Sequence, residues 1–432
     1  MLDIQFIRNN REEVARKAQQ KGYAVDVEGL LAADIKKREL VTEIERLRAE
    51  RNELSSSLKK NKPTPEQIER GKALKEEINH LEVQLKPVEE RYDALLKAVP
   101  NMSLADVPVG STEDENVIAK TVGEPTKFDF TPKHDFELGE TLDLIDKERA
   151  AKIAGSRFAY LKGGLVRLQF AIVQFVMTTL GDETLIQKLI DENNLNIPAK
   201  PFTPILPPAM LRTEPYVASA RLNAEEVTYK IEQDDLWLNA SAEHTLCTMY
   251  WNEVLPEDML PIRYLGYSTS FRREAGTYGK DMEGIFRLHQ FDKLEMEVFC
   301  TPETGLDEHK LQIAIQEYLV QQLGLPYRLI QKCTADIGKP NASGYDIDCW
   351  FPGQQKYRET HTADYMTDYQ SRDLKVRTRR QDGTIDLVHT NDATAFAMSR
   401  ILKCIMENYQ TAEGKIVIPE VLRPYMGGQA MI

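Results

Sequence analysis

Two stretches near the N-terminus repeat apolar residues in alternating steps of four and three, and this repeat constrains the fold more than any other feature of the chain. Leu40, Ile44, Leu47, Leu54 and Leu58 keep the step in the first stretch, with Arg51 filling one seam position. Leu74, Ile78, Leu81, Leu85, Val88, Tyr92, Leu95 and Val99 keep it in the second. Such a seam is the signature of helices packed side by side as a coiled coil. Between them lies Asn61-Lys-Pro-Thr-Pro65, a short turn in which Thr64 or Pro65 suits a helix start. So short a connection forces the helices antiparallel, giving a hairpin arm. Helices of roughly 30 residues reach about 45 Å at 1.5 Å rise per residue. Pro87 lies inside the second helix and is expected to bend it locally. The preceding residues, with Leu2, Ile4, Phe6 and Ile7, read as a small helical base.

An arm of this kind is most often structural or dimerising. Its first helix carries Lys36, Lys37, Arg38, Arg46, Arg48, Arg51, Lys59 and Lys60 against Glu39, Glu43, Glu45, Glu50 and Glu53. That mild excess permits a basic groove without showing one. The whole chain has a net charge of −13, which counts against indiscriminate binding of polyanions. Any contact with nucleic acid must therefore rest on a local patch.

At 432 residues the chain exceeds one ordinary core, so about two or three domains are expected. The N-terminal residues Met1 to Arg8 have neither a basic segment nor an apolar one of the kind a secretory signal needs. The most apolar run, Phe170 to Leu180, is interrupted by Gln174 and two threonines and is too short to span a bilayer. Five scattered cysteines form no CxxC pair. Neither a disulfide framework nor a cysteine-rich zinc site is indicated, and a reduced cytoplasm is the expected location.

Pro100-Asn101 and Val107-Pro-Val-Gly110 break the second helix. We read residues 1–105 as the helical arm, 106–134 as a linker and 135–432 as a second domain. In that domain Ile262–Ser268, Tyr327–Ile330 and Tyr345–Trp350 look like strands, while Leu311–Leu323 and Ala395–Tyr409 look helical. This order predicts an α+β fold, a mainly antiparallel sheet with helices packed on it.

The chemistry concentrates in Phe271-Arg-Arg-Glu-Ala-Gly276 and Arg287-Leu-His-Gln-Phe-Asp-Lys-Leu-Glu295. Side chains alternate along a strand, so Arg272 and Glu274 are expected on one face. Arg287, Phe291 and Glu295 share a face by the same rule, with Phe286, Leu288 and Leu294 opposite. Thr277 to Gly284 reads as a mobile polar loop joining the two segments. One sheet face would then offer two guanidiniums, two carboxylates and a flat ring, the groups needed to hold a polyphosphate, a purine and an ammonium. A solvated, charge-laced hairpin is the bland alternative. The chain has no GxxxxGK[ST] loop and no strand-borne GxGxxG. Trp237, Trp251 and Trp350 read as core residues, and Arg377-Thr-Arg-Arg380 as a solvated hairpin turn with RNA contact as the lesser alternative.

These two segments closely resemble the second signature motif of the class II seryl-tRNA synthetases. Glu407-Asn-Tyr-Gln410 with Ile418-Pro-Glu-Val-Leu-Arg-Pro-Tyr425 resembles that family's C-terminal signature, and Arg400 its third-motif arginine. Pro207 resembles the first-motif proline, which in this class lies at a dimer interface. The arm and the Pro100 to Gly110 junction are similar too, so the resemblance covers essentially the whole chain. It implies a homodimeric serine–tRNA ligase with a class II catalytic domain. Serine and ATP would give seryl-adenylate, and the seryl group would pass to the 3′ end of tRNA(Ser), and of tRNA(Sec) where one exists.

By resemblance, the ATP-binding set is Arg272, Glu274, Arg287, Phe291, Glu359, Thr362 and Arg400, with Arg272, Arg287 and Arg400 also catalytic. Glu359 and Thr362 would hold Mg²⁺, as hard oxygen ligands suit a hard ion. Ser241, Glu243, Glu295, Asp392 and Thr394 would bind serine. Three places depart from the family pattern. Thr360-His-Thr-Ala-Asp-Tyr365 stands where Ser-Ser-Cys-Ser-Asn is usual, Asp392 replaces an Asn, and Ser241 replaces a Thr. All three cluster around the amino-acid and metal pocket, and Asp392 adds an anion beside an ammonium-bearing substrate. His361 reads as a structural histidine, with an acid/base or metal role as the alternative. A synthetase of altered amino acid or acceptor, a non-catalytic RNA-binding regulator and an enzyme loading a carrier protein are the competing readings.

Overall fold

A computed structural model of the chain describes residues 1–58, 64–222, 227–274 and 283–432, without the side chains of Ser57 and Leu58. Lys59 and Lys60, most of the expected Asn61–Pro65 turn, the Leu58 seam position, Ala275-Gly276 and most of the Thr277–Gly284 loop lie outside the described residues. The chain forms two compact units, Met1–Met102 and Ser103–Ile432.

The first unit is helical: α1 (Ile4–Asn9), α2 (Arg11–Gln20), α3 (Val27–Leu58) and α4 (Pro65–Ala98). The start of α4 follows from its sequence. The Thr64 side chain accepts from the Gln67 N–H, Gln67 reaches back to the Thr64 N–H, and Pro65 occupies the first helical position. Leu40, Ile44, Leu47, Leu74 and Ile78 are buried along the seam. Pro87 lies within α4, which is assigned as one helix through it. Charges pair across α3 and α4 in both directions: Arg48 of α3 donates to Glu82 of α4 and Arg70 of α4 to Glu50 of α3, each at 2.7 Å, and Lys37 lies 3.6 Å from Glu89. Exposed pairs of this kind contribute only about 0–1 kcal/mol each, so the apolar seam carries the stability. At the base, Arg8 forks onto Asp34 with contacts of 2.8 and 2.7 Å, fixing α1 to α3.

The second unit is built on one eight-stranded sheet. In chain order its strands are β1 (Val117–Val122), β2 (Thr203–Ile205), β3 (Ile262–Phe271), β4 (Gln290–Cys300), β5 (Tyr327–Gln331), β6 (Ser343–Phe351), β7 (Lys356–Thr367) and β8 (His389–Ala397). Across the sheet they run β1-β5-β6-β7-β8-β4-β3-β2, every pairing antiparallel except the edge strand β2 on β3. Residues 106–134, expected as a linker, fall in this unit and supply β1. The β-branched run Val117–Val122 pairs with the otherwise open edge of β5.

The two faces of the sheet follow the two-residue period of its strands. On β4, Leu294, Met296, Val298 and Cys300 enter the apolar core with Ile347, Ala363, Ala393 and Phe396. Residues of the helices Gly164–Leu180, Gly305–Gln322 and Met398–Asn408 pack in the same core. Lys293, Glu295 and Glu297 point to the other face, which is polar and holds the candidate site. Phe170–Leu180 belongs to the first of those helices, and among the described residues no single helix is long and apolar enough to cross a membrane. All five cysteines are free and buried.

Two local expectations are corrected. The helix expected from Ala395 begins at Met398, because Ala395–Ala397 extend β8. Arg377–Arg379 form a short strand with Thr378 buried, and Arg380 is held by Glu257, Glu303 and Asp386. Those three acids all engage Arg380, while Arg379 is exposed.

Candidate active site

Phe291 and Glu295 share the polar face of β4, as expected, with Lys293 between them. Arg272, Glu274 and Arg287 do not follow strand alternation. β3 ends at Phe271 and β4 begins at Gln290, so all three sit on the irregular chain beyond the strand ends. Glu274 adopts a positive φ of 52°, which turns the chain there. The result is still convergence: Arg272, Glu274, Arg287, Phe291, Glu359, Thr362, Thr394 and Arg400 line one cavity, together with Lys293 and Thr360.

Its cations are held by its own acids. Arg287 Nη1 donates to Glu274 Oε2 at 2.7 Å, and Arg400 Nη1 donates to Glu359 Oε1 at 2.7 Å. Arg272 Nε donates to the Ala240 carbonyl at 3.0 Å, and its guanidinium lies 5.4 Å from the Phe291 ring centre. Arg400 lies over Phe286, 5.1 Å from that ring centre. Partial loss of water around Glu359 opposes its ionisation, yet the Arg400 charge and hydrogen bond hold its pKa below the usual carboxylate range. Its side chain is about half exposed, at 49%, so the pair is open to exchange.

Ser241, Glu243, Glu295 and Asp392 lie beneath this cavity rather than on its wall, and all four are buried. Lys293, which sequence reasoning passed over, joins the two layers. Its ammonium donates to Ser241 Oγ at 2.8 Å and lies 2.5 Å from Glu295 Oε2 and 3.5 Å from Glu243 Oε2. Ser241 in turn donates to Glu243. One ammonium thus serves two buried carboxylates. Burial pushes both up; Lys293 pulls Glu243 well below its ordinary value, while burial prevails at Glu295 and leaves it well above. Two carboxyl groups thus face one ammonium, and the Glu295 oxygens make no hydrogen bond.

The departures from the family pattern have partners of their own. Lys332 donates to Thr362 Oγ1 and Asp364 Oδ1, each at 2.8 Å, and lies 3.3 Å from Asp346. Asp392 is paired with Arg221. Burial raises Asp392 to about 7, with Arg221 pulling the other way. His361 lies on the core side, opposite Ile347 and against Phe396. Burial drives its pKa down to about 3, which keeps the imidazole neutral.

For a divalent cation the donors at hand are the Glu359 carboxylate and the Thr362 hydroxyl, both hard oxygens on the same cavity. Among the described residues no cluster of three or more His, Cys, Asp or Glu is placed to cage a metal. Hard oxygens of this kind suit Mg²⁺.

Residues 1–103 match the seryl-tRNA synthetase N-terminal domain, and residues 228–409 match the tRNA synthetase class II core domain (G, H, P, S and T). The serine–tRNA ligase of Thermodesulfovibrio yellowstonii is 38% identical over 99% of both chains. The chain belongs to the seryl-tRNA synthetase family. The serine–tRNA ligase of Nitrosopumilus maritimus is 36% identical over the full length of both. The seryl-tRNA synthetase of Pyrococcus horikoshii, solved in complex with ATP, superposes with a TM-score of 0.86 at 35% identity, covering 100% of this chain and 99% of that one. Seryl-tRNA synthetase relatives thus match both compact units, the helical one included.

Proposed function

We propose that this chain activates serine with ATP and transfers the seryl group to the 3′ end of tRNA(Ser). The observation that carries the reading is the convergence of three arginines, two glutamates and Phe291 on one cavity above a cation-seeking floor. Phe291 stacks on the purine while Glu274 accepts from its amino group. Arg272 holds the α-phosphate, where negative charge grows as a serine carboxylate oxygen attacks phosphorus. The new O–P bond forms as the bond to the pyrophosphate oxygen breaks. Arg287 and Arg400 take the outer phosphates, for which a planar fork is well shaped.

Two internal ion pairs must part for this to happen, Arg287 from Glu274 and Arg400 from Glu359. Each of these two substrate contacts replaces one already made within the site. Glu359 and Thr362 would hold Mg²⁺, which when bound would neutralise phosphate charge. Glu295 and Glu243 receive the serine ammonium, with Thr394 reading its hydroxyl and Ser241 and Asp392 in the surrounding shell. No side-chain nucleophile is required, since catalysis is positioning and charge stabilisation. In the second step a hydroxyl of the terminal ribose attacks the seryl carbonyl and AMP leaves.

The helical unit grips tRNA by backbone and shape rather than by base edges, as structured RNA is usually read. The working form is a cytoplasmic homodimer. Leu206, 75% exposed beside Pro207 just past the edge strand β2, supports an interface there. Incubation with labelled serine, ATP, Mg²⁺ and purified tRNA(Ser) tests the proposal: label should accumulate on the tRNA, and its absence with active tRNA would overturn the reading.

A further inference from the structure

We infer that Arg221 is a positioning residue of the amino-acid site, where it balances Asp392 and so fixes the charge that the substrate ammonium meets. This rests on the seryl reading given above. Asp392 lies on the polar face of β8, directly opposite Glu297 of β4 on one side and Asp364 of β7 on the other. Three carboxylates therefore stand in a row across adjacent strands, two residues along from the Glu295–Thr394 pair. Lys332 serves Asp364, and Lys293 is engaged by Glu295, Glu243 and Ser241. Glu297 has both oxygens buried without a hydrogen bond. Asp392, 2% exposed, would be a second bare buried anion if Arg221 did not reach it.

Arg221 is built in rather than draped across. Thr390, two residues before Asp392 on the same strand face, donates to Gln370 Oε1 at 2.8 Å. Gln370 donates to the Ser219 carbonyl at 3.0 Å, and the Ser219 hydroxyl accepts the Arg221 N–H at 3.2 Å. Ala220 between them has a φ of 57°, a left-handed conformation that a residue with a Cβ adopts at a cost of about 1–2 kcal/mol. Thr390, Gln370, Ser219, Arg221 and Asp392 thus close a loop that starts and ends on β8. The guanidinium at its tip also contacts Met366 Sδ at 3.6 Å, and its side chain is only 14% exposed. So constrained a cation cannot swing to solvent when its partner is lost.

The consequence concerns the anion that Asp392 adds relative to the family pattern. With Arg221 in place the pair is neutral overall, and the surplus charge available to a substrate ammonium remains that of Glu243 and Glu295. Breaking the pair from either side leaves a buried charge uncompensated, the costly case for buried ions. Asp392→Asn leaves a guanidinium whose field already reaches Glu243, drawing that carboxylate away from Lys293 and from the substrate. Arg221→Gln leaves a carboxylate that competes for Lys293, whose field reaches Asp392. Neither change touches Arg272, Arg287, Phe291 or Arg400.

The test is serine-dependent ATP–pyrophosphate exchange by the full chain carrying Arg221→Gln, Asp392→Asn or both. Serine KM and ATP KM are measured separately, and folding is followed by thermal melting. Each single variant should raise serine KM about tenfold or more, with ATP KM within about twofold, and the double variant should recover most of the loss. Unchanged serine KM in both singles, or a double variant no better than the worse single, overturns the inference. A lowered melting temperature alone would mark the pair as structural only. Absence of serine-dependent exchange by the unsubstituted chain would instead overturn the seryl reading, and the role of the pair with it.

Discussion

Arg400 donates to Glu359 both through Oε1, at 2.7 Å, and through the backbone carbonyl, at 3.1 Å. The phosphate-binding cation and the metal-binding anion of the proposed site are therefore each other's partners before substrate arrives. Both contacts come from the single nitrogen Nη1, and it is towards phosphate oxygens that the planar guanidinium offers paired donors an ammonium lacks. Arg400→Lys should lower kcat/KM for ATP about 10- to 100-fold, since hydrogen bonds to charged groups are worth roughly 1.5–3 kcal/mol. Steady-state exchange at varied ATP checks this, and an unchanged value would remove Arg400 from phosphate binding.

Phe291 offers its ring to the cavity with the Arg272 guanidinium above it. Base–aromatic stacking is worth about 1–3 kcal/mol, so Phe291→Ala should raise ATP KM about 5- to 150-fold. Serine KM at saturating ATP should change far less. Equal effects on both substrates would mean that Phe291 supports the site generally and does not hold the purine.

Glu297 gives a pH-dependent prediction. Burial lifts its pKa well above the ordinary value, with Asp392 adding to the rise and Arg221 opposing it. A carboxyl raised in the folded state binds its proton more tightly there than in the unfolded chain. Below the unfolded pKa both states are protonated and the group is neutral to stability. As pH rises from there towards the folded pKa, the unfolded chain ionises first and stability falls. Glu297→Gln removes this loss, so its melting temperature should exceed that of the parent by a few degrees at pH 8. The gap should shrink towards pH 5; a constant gap would contradict the assignment. Thermal melts of both proteins across that range are sufficient.

The helical unit should be separable in effect from the adenylating site. Leu47, Leu74 and Ile78 form its buried seam cluster, and large-to-small changes at such positions cost about 2–5 kcal/mol. Combining Leu47→Ala with Leu74→Ala should loosen α3 against α4 and reduce tRNA charging at least tenfold. Serine-dependent pyrophosphate exchange should stay within about twofold. If charging survives while circular dichroism shows lost helix, the unit does not hold tRNA.

Much of this was readable from residue order because local rules dictate it. The seam of α3 and α4, the start at Thr64-Pro65 and the two-faced alternation of β4 are each set by neighbours within a few positions. Lys293 obeys that same alternation between Phe291 and Glu295 and could have been found by it. Arg272, Glu274 and Arg287 were expected on strands and lie beyond the strand ends; only tertiary placement brings them to one cavity. Nothing local signals Arg221 or Lys332. Arg221 precedes its partner Asp392 by well over a hundred residues, and their pairing follows from the order of strands in the sheet. Likewise Val117–Val122 looked like linker because a single edge strand has no pattern beyond its β-branched residues.

The central claim is that the cavity above Lys293 and Glu295 joins serine to AMP. The direct measurement is ATP–pyrophosphate exchange with each amino acid in turn, in the presence of Mg²⁺. The account predicts exchange with serine, and far weaker exchange with threonine, alanine, glycine or proline. No exchange with serine, together with exchange driven by another amino acid, would contradict it.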